Sequence, residues 1–134
     1  MMKKEFVFTN QDDIKINVYQ WSPKQKIKGI IQIAHGMAER ASRYEYFASK
    51  LTEEGFIVYA NDHRGHGKSA LSIEELGYIS DKDGFSDMVA DMKTLTDIAK
   101  KENPEVPIIL LGHSMGSFLT QRYIQIYGNE IHGV

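Results

Sequence analysis

The segment Gly112-His113-Ser114-Met115-Gly116 constrains this chain most, because a serine bracketed by glycines in this way needs a particular backbone on both sides. Upstream, Pro107-Ile108-Ile109-Leu110-Leu111 is an apolar run of strand length, and downstream a helical pattern continues to Tyr127. A strand that turns sharply into a helix lifts the serine hydroxyl out of the sheet edge. The glycines remove side chains that would collide where the two backbones nearly touch. The five-residue pattern arises by chance in roughly one chain of this length in 25, so its weight comes from the strand before it and the helix after it. Ser114 is the candidate nucleophile.

The rest of the chain supplies a matching frame. Phe6 and Phe8, then Ile14, Ile16 and Val18, alternate with polar neighbours across the turn-like Asn10-Gln11-Asp12-Asp13, which predicts an antiparallel hairpin. Residues 30–34 and 56–60 are nearly continuous apolar strands of the kind buried on both faces. Between them, Ser42 followed three residues later by Glu45 reads as a capping box. It starts a helix with Tyr44, Phe47, Ala48 and Leu51 on one face and Gly55 as its stop. Residues 70–82 offer only a short helical turn around 72–76. A longer helix follows, with Phe85, Met88, Val89, Met92, Leu95 and Ala99 at helical spacing and Asn103-Pro104 at its end; Asp87 and Asp91 read as its solvated face. The last helix sets Phe118, Leu119, Tyr123 and Ile126 on one side, and Ile131-His132-Gly133-Val134 opens another strand. This order predicts an α/β fold: an antiparallel hairpin leading into a parallel sheet with crossover helices, residues 1–134 belonging to a single domain.

In such sheets the reactive loops follow the carboxyl ends of the strands. His35-Gly36-Met37, the loop 61–69 and the serine turn all do so. A serine hydroxyl needs a base to become nucleophilic, and the oxyanion formed on attack needs preorganised donors. The backbone N–H groups of Met115, just after the serine, and Met37, after the earlier strand, are the candidate donors.

Other chemistries are excluded. The net charge is only −2 with scattered cations, so nucleic acid is not an expected partner. With no cysteine, disulfides, thiolate metal sites and thiol nucleophiles cannot form. There is no phosphate-binding P-loop, and the histidines fall on separate segments, so no cofactor and no metal are expected. The amino end lacks an apolar signal stretch, and no run reaches membrane-spanning length. The expected location is therefore cytoplasmic, with at most transient contact with a membrane surface.

His35-Gly36-Met37-Ala38-Glu39 with Arg43-Tyr44, then Asp62-His63-Arg64-Gly65-His66-Gly67-Lys68-Ser69, then the serine segment, resemble the monoacylglycerol lipase and lysophospholipase branch of the α/β-hydrolase superfamily, the group also called serine aminopeptidase-like. The resemblance covers essentially the whole chain. It implies an esterase of glycerol-lipid carboxylic esters acting through an acyl-enzyme on Ser114, with Met37 and Met115 as the oxyanion hole. Ala38 stands where many members have glycine.

The fold orders its partners serine, acid, histidine, yet 18 residues follow Gly116, containing only Glu130 and His132 as candidates, neither placed to act. His63 and His66 read as loop-ordering residues, and Asp62 as an acceptor for backbone N–H groups. The expectation is an amino-terminal half whose lid, acid and base lie in further sequence; the other reading is a non-catalytic fragment that binds a ligand or partner. By itself the 134-residue chain is expected to aggregate or to associate with another chain, because the sheet edge beside its serine strand is uncovered. Sedimentation velocity checks this, and a monodisperse monomer with cooperative unfolding would contradict it.

Overall fold

The computed structural model describes residues 1–79 and 83–134. Strands β1 (Met2–Thr9) and β2 (Lys15–Ser22) form the expected hairpin, with Phe6 opposite Val18. Its turn is held by Asn10, whose Oδ1 accepts the N–H groups of Asp12 and Ile14, each at 3.0 Å. Strands β3 (Gly29–Ala34), β4 (Phe56–Asn61) and β5 (Ile108–Gly112) complete a sheet ordered β1-β2-β4-β3-β5. β2 meets β4 antiparallel, whereas β4, β3 and β5 run parallel. The two strands expected to be buried on both faces are so: every residue of β3 is buried, as are all of β4 except Phe56.

Helix α1 (Glu45–Glu53) covers one face, packing against Trp21, Ile31, Ile33 and Val58 through Ala48 and Leu51. Helices α2 (Gly84–Glu102) and α3 (Met115–Tyr127) cover the other. There Leu95 and Ala99 meet Ile30, Tyr59 and Ile108, while Met88, Met92, Leu119 and Tyr123 enclose Ala34 and Leu110. A buried polar chain fixes this layer. Tyr123 donates to Thr96, Thr96 donates to Gln32 Oε1, and Gln32 Nε2 donates to the Met92 carbonyl, so β3, α2 and α3 are cross-linked without an unpaired amide.

Four sequence expectations are corrected. Ser42 does not cap α1: residues Ala41–Tyr44 form a 3₁₀ turn, the cap position is Tyr44 without a side-chain bond, and Glu45 pairs with Lys3 at 2.7 Å. The turn begins one residue before Ser42, at Ala41, whose N–H donates to Asp62 at 2.8 Å, so Ser42 lies inside the turn rather than at its start. On α2, Phe85 is exposed, and the helix start is capped by Asp83, which accepts the Ser86 N–H. On α3, Phe118 and Ile126 are exposed, because the inward line runs through Gly116, Leu119, Thr120 and Tyr123. Asp91 is not solvated. It is 1% exposed and grips Arg64, itself 2% exposed, through Nε–Oδ2 at 2.7 Å and Nη2–Oδ1 at 3.2 Å, with Asp87 3.7 Å from Nη1.

The short turn expected around 72–76 is a 3₁₀ turn, Ile73–Glu75; residues 80–82 lie outside the described residues. After α3, Gly133 makes one parallel bridge to Ile109 on the outer edge of β5. Removing one member of a buried, hydrogen-bonded ion pair leaves an uncompensated charge. Asp91→Ala is therefore expected to lower unfolding free energy by about 3–5 kcal/mol, read from urea denaturation, and replacing Asp91 and Arg64 together by Leu and Met by clearly less.

Candidate active site

Ser114 occupies the cap position of α3 with φ 54° and ψ −119°, a conformation that a side chain tolerates only when its surroundings enforce it. The enforcing contacts are backbone to backbone. A Cβ on Gly116 would lie 2.0 Å from the Ala34 carbonyl oxygen, and one on Gly112 would lie 2.4 Å from both the Gly116 carbonyl oxygen and Thr120 Oγ1. The His113 N–H donates to the Ala34 carbonyl at 3.1 Å, tying the turn to the end of β3.

The segment after β3 lies directly against the serine. A Cβ on Gly36 would stand 3.0 Å from Ser114 Cβ and 2.8 Å from Glu39 Oε2. Glu39, with a side chain 8% exposed, organises the segment: Oε2 accepts the Gly36 N–H at 2.6 Å, the Tyr44 hydroxyl at 3.1 Å and a contact from His113 Nδ1 at 3.1 Å, while Arg43 lies 3.1 Å from Oε1. Burial alone would raise its pKa, but the hydrogen bonds from Gly36, His113 and Tyr44 outweigh it and hold the carboxyl below its usual range. Its charged form therefore stabilises the fold above the ordinary carboxylate range, and that contribution is lost on acidification below it. Ala38 has φ 61°, a left-handed conformation that costs an alanine about 1–2 kcal/mol.

Among the described residues, no loop or capping hydrogen bond uses the N–H of Met37 or Met115, whereas those of Gly36, Gly116 and Ser117 are engaged with Glu39, the His113 carbonyl and the Ser114 carbonyl. Met37 is exposed and Met115 opens α3, where the helix dipole favours negative charge.

A second layer supports this segment. His35 Nδ1 donates to the Gly36 carbonyl at 2.7 Å and its Nε2 accepts the His63 N–H at 3.0 Å, while His63 Nε2 donates to the His35 carbonyl at 3.0 Å. Carbonyl oxygens only accept and a backbone N–H only donates, so these partners make His35 a neutral ring with its proton on Nδ1, while His63 donates from Nε2 and its buried Nδ1 has no partner among the described residues. Burial lowers the pKa of His35, and burial, followed by the electrostatic cost of a second proton beside His35, lowers that of His63 well below the ordinary value. His66 donates through Nδ1 to the Arg64 carbonyl at 2.8 Å. Asp62, fully buried, accepts the N–H groups of Ala41 and Lys68, as expected of a loop-ordering acceptor. Gly65 and Gly67 take positive φ, and a Cβ on Gly67 would lie 2.4 Å from Asp62 Cγ.

The two late candidates are elsewhere. His132 Nδ1 accepts the N–H of Ile108, at the far end of β5 from Ser114, roughly 15–20 Å away at strand rise. Glu130 pairs with Lys100 at 3.0 Å. His113 is turned to Glu39, and its side chain is 63% exposed.

Comparison with known proteins gives the family and the fold. Residues 25–134 match the family described as serine aminopeptidase, S33. The chain belongs to that family of α/β-hydrolases, in its monoacylglycerol lipase and lysophospholipase branch. It is 36% identical over 128 residues to the monoacylglycerol lipase of Mycolicibacterium smegmatis, covering 96% of this chain and 44% of that protein. It is 37% identical over 100 residues to the monoglyceride lipase of Rattus norvegicus, covering 75% and 31% respectively. The crystal structure of a thermostable carboxyl esterase from Bacillus coagulans in complex with glycerol superposes with a TM-score of 0.89 at 34% identity, covering 98% of this chain and 42% of the other. The chain thus spans under half the length of these relatives.

For this family member, sequence reasoning missed the roles of Glu39, Arg64 and Asp91. Glu39 was discoverable, since it follows Gly36 by three residues and precedes Arg43 by four, which places its carboxylate within reach of both. The neutral histidine pair has a measurable consequence. Both folded pKa values lie below the unfolded value near 6.5, so below that pH the unfolded chain binds more protons and stability rises with pH. The expected slope is up to about 1.4 kcal/mol per pH unit for each histidine on going from pH 5 to 6.5, levelling above. Urea midpoints measured across that range test it, and a flat profile would contradict the assignment.

Proposed function

We propose that this chain supplies the nucleophile and oxyanion hole of a serine hydrolase acting on carboxylic esters of glycerol lipids, monoacylglycerol or lysophospholipid. Ser114 Oγ attacks the ester carbonyl and the N–H groups of Met37 and Met115 receive the oxyanion. An acyl-enzyme forms as the alcohol leaves, and water then releases the fatty acid. The carrying observation is the left-handed Ser114 backbone held against Gly36, which brings the serine and the segment after β3 into direct contact. The relatives' names support the substrate class.

The general base and orienting acid belong, in this reading, to sequence matching the part of the relatives not covered here, because no histidine among the described residues makes a hydrogen bond to the Ser114 side chain. The distance of His132 from the serine favours this division. A fragment that binds without turnover is the competing reading, and one experiment separates them. The chain and its Ser114→Ala variant are incubated with a fluorophosphonate and, separately, with a p-nitrophenyl acyl ester. Stoichiometric adduct at Ser114, absent from the variant, is the expected result. Joined to the remaining portion of a relative, the wild-type chain is expected to exceed the variant in kcat by roughly 10⁴-fold or more. Turnover equal to the alanine variant's in the joined protein would overturn the hydrolase reading.

A further inference from the structure

Beside the oxyanion segment lies a cleft of about 900 Å³, between the turn after β3 and the loop after β4, that the proposed chemistry at Ser114 does not use. Its outward chemistry is cationic, although the chain as a whole carries a net charge of −2. Arg40, Arg43 and Lys68 line it, with the Tyr19 ring at its base and Ile73 and Leu76 at its rim.

The two carboxylates in its wall are already engaged. Asp62 is fully buried and accepts from Ala41, Lys68 and Asn17, and Glu39 holds Gly36, Tyr44 and His113. Arg40 is exposed and has no carboxylate partner among the described residues. Lys68 lies 2.7 Å from Glu5, which does not line the cleft, and Glu74 and Glu75 do not line it either. The rim is apolar and open: Ile73 is 87% exposed and Leu76 55%. Guanidinium and ammonium groups facing a concave space select oxyanions, and forked guanidinium donors match phosphate oxygens. Aliphatic side chains beside them select a ligand with an apolar part.

We propose that this cleft receives the phosphate of a phosphorylated lipid headgroup, as in a lysophospholipid whose acyl ester lies at Ser114. The placement of the ester rests on the nucleophile reading, whereas phosphate binding does not. Glu39 contacts both the oxyanion segment and Arg43, so cleft and serine are neighbours across one side chain.

Isothermal titration of the chain tests this with glycerol, glycerol 3-phosphate, inorganic phosphate and a six-carbon lysophosphatidylcholine. Glycerol 3-phosphate is expected to bind at least tenfold more tightly than glycerol, and its affinity to fall several-fold as salt rises. The exposed double variant Arg40→Gln/Lys68→Gln is expected to lose about tenfold, while Lys24→Gln, away from the cleft, loses nothing. Ile73→Ser is expected to weaken the lysophospholipid but not glycerol 3-phosphate. Equal binding of glycerol and glycerol 3-phosphate, or an unchanged double variant, would overturn the phosphate site. Inorganic phosphate binding as tightly as the lysophospholipid would overturn the lipid assignment. Loss of Ser114 labelling with phosphate binding intact would point instead to failure of the nucleophile reading.

Discussion

Everything at the carboxyl edge of this sheet depends on one contact, the approach of α3 to the end of β3 at Gly116 and the Ala34 carbonyl. No side chain fits there. Because the two backbones touch, the turn before α3 has to be compressed, and the compression places Ser114 in the left-handed region. The same closeness lets the His113 N–H reach Ala34 and brings Gly36 against the serine. Local strain of this type persists only where packing over-determines it. Here the packing comes from three directions: Leu119 and Tyr123 below, β3 beside, and the Glu39 segment in front.

A second constraint is the demand that buried polar groups find partners. The loop 61–69 is almost wholly buried although it carries an aspartate, two histidines and an arginine. Each is accommodated differently. Asp62 takes backbone N–H groups from two loops, His63 and His66 each donate to a carbonyl and leave one ring nitrogen without a partner among the described residues, and Arg64 is met by Asp91 and Asp12. A loop built this way is rigid for electrostatic reasons rather than apolar ones. That rigidity reaches the segment after β3 through the paired His35 and His63.

What the amino-acid sequence reveals, and what it hides, follows from the range of the forces involved. The strands, the three helices and the serine turn were legible because hydrophobic period and glycine placement are local signals, each carried within about ten residues. The contact of Gly36 with Ser114 was inferable because both segments follow adjacent parallel strands. Asp91 was misread because its helical period places it toward the polar side, and only Arg64, 27 positions away, makes that position interior. Phe118 and Ile126 were misread for a related reason. An apolar residue on a helix says nothing about which stripe faces inward when two stripes are apolar, and here a glycine chose the stripe. Ser42 carried a capping pattern, but the helical turn starts before it, at Ala41, where Asp62 from the next loop accepts the first N–H.

The sheet order also dictates a sequence of events in time. β1 and β2 pair within a hairpin, and β4 joins both β2 and β3, but the pairing of Ala34 with Gly112 closes a span of 78 positions. On a ribosome delivering the amino end first, the segment after β3, with its histidine pair and Glu39, therefore emerges before Ser114. Strand β5 then joins β3 as the third strand of the parallel group. The strained Ser114 backbone is then imposed as β5 docks on β3, by the contact of α3 with the Ala34 carbonyl, onto a seat that already exists.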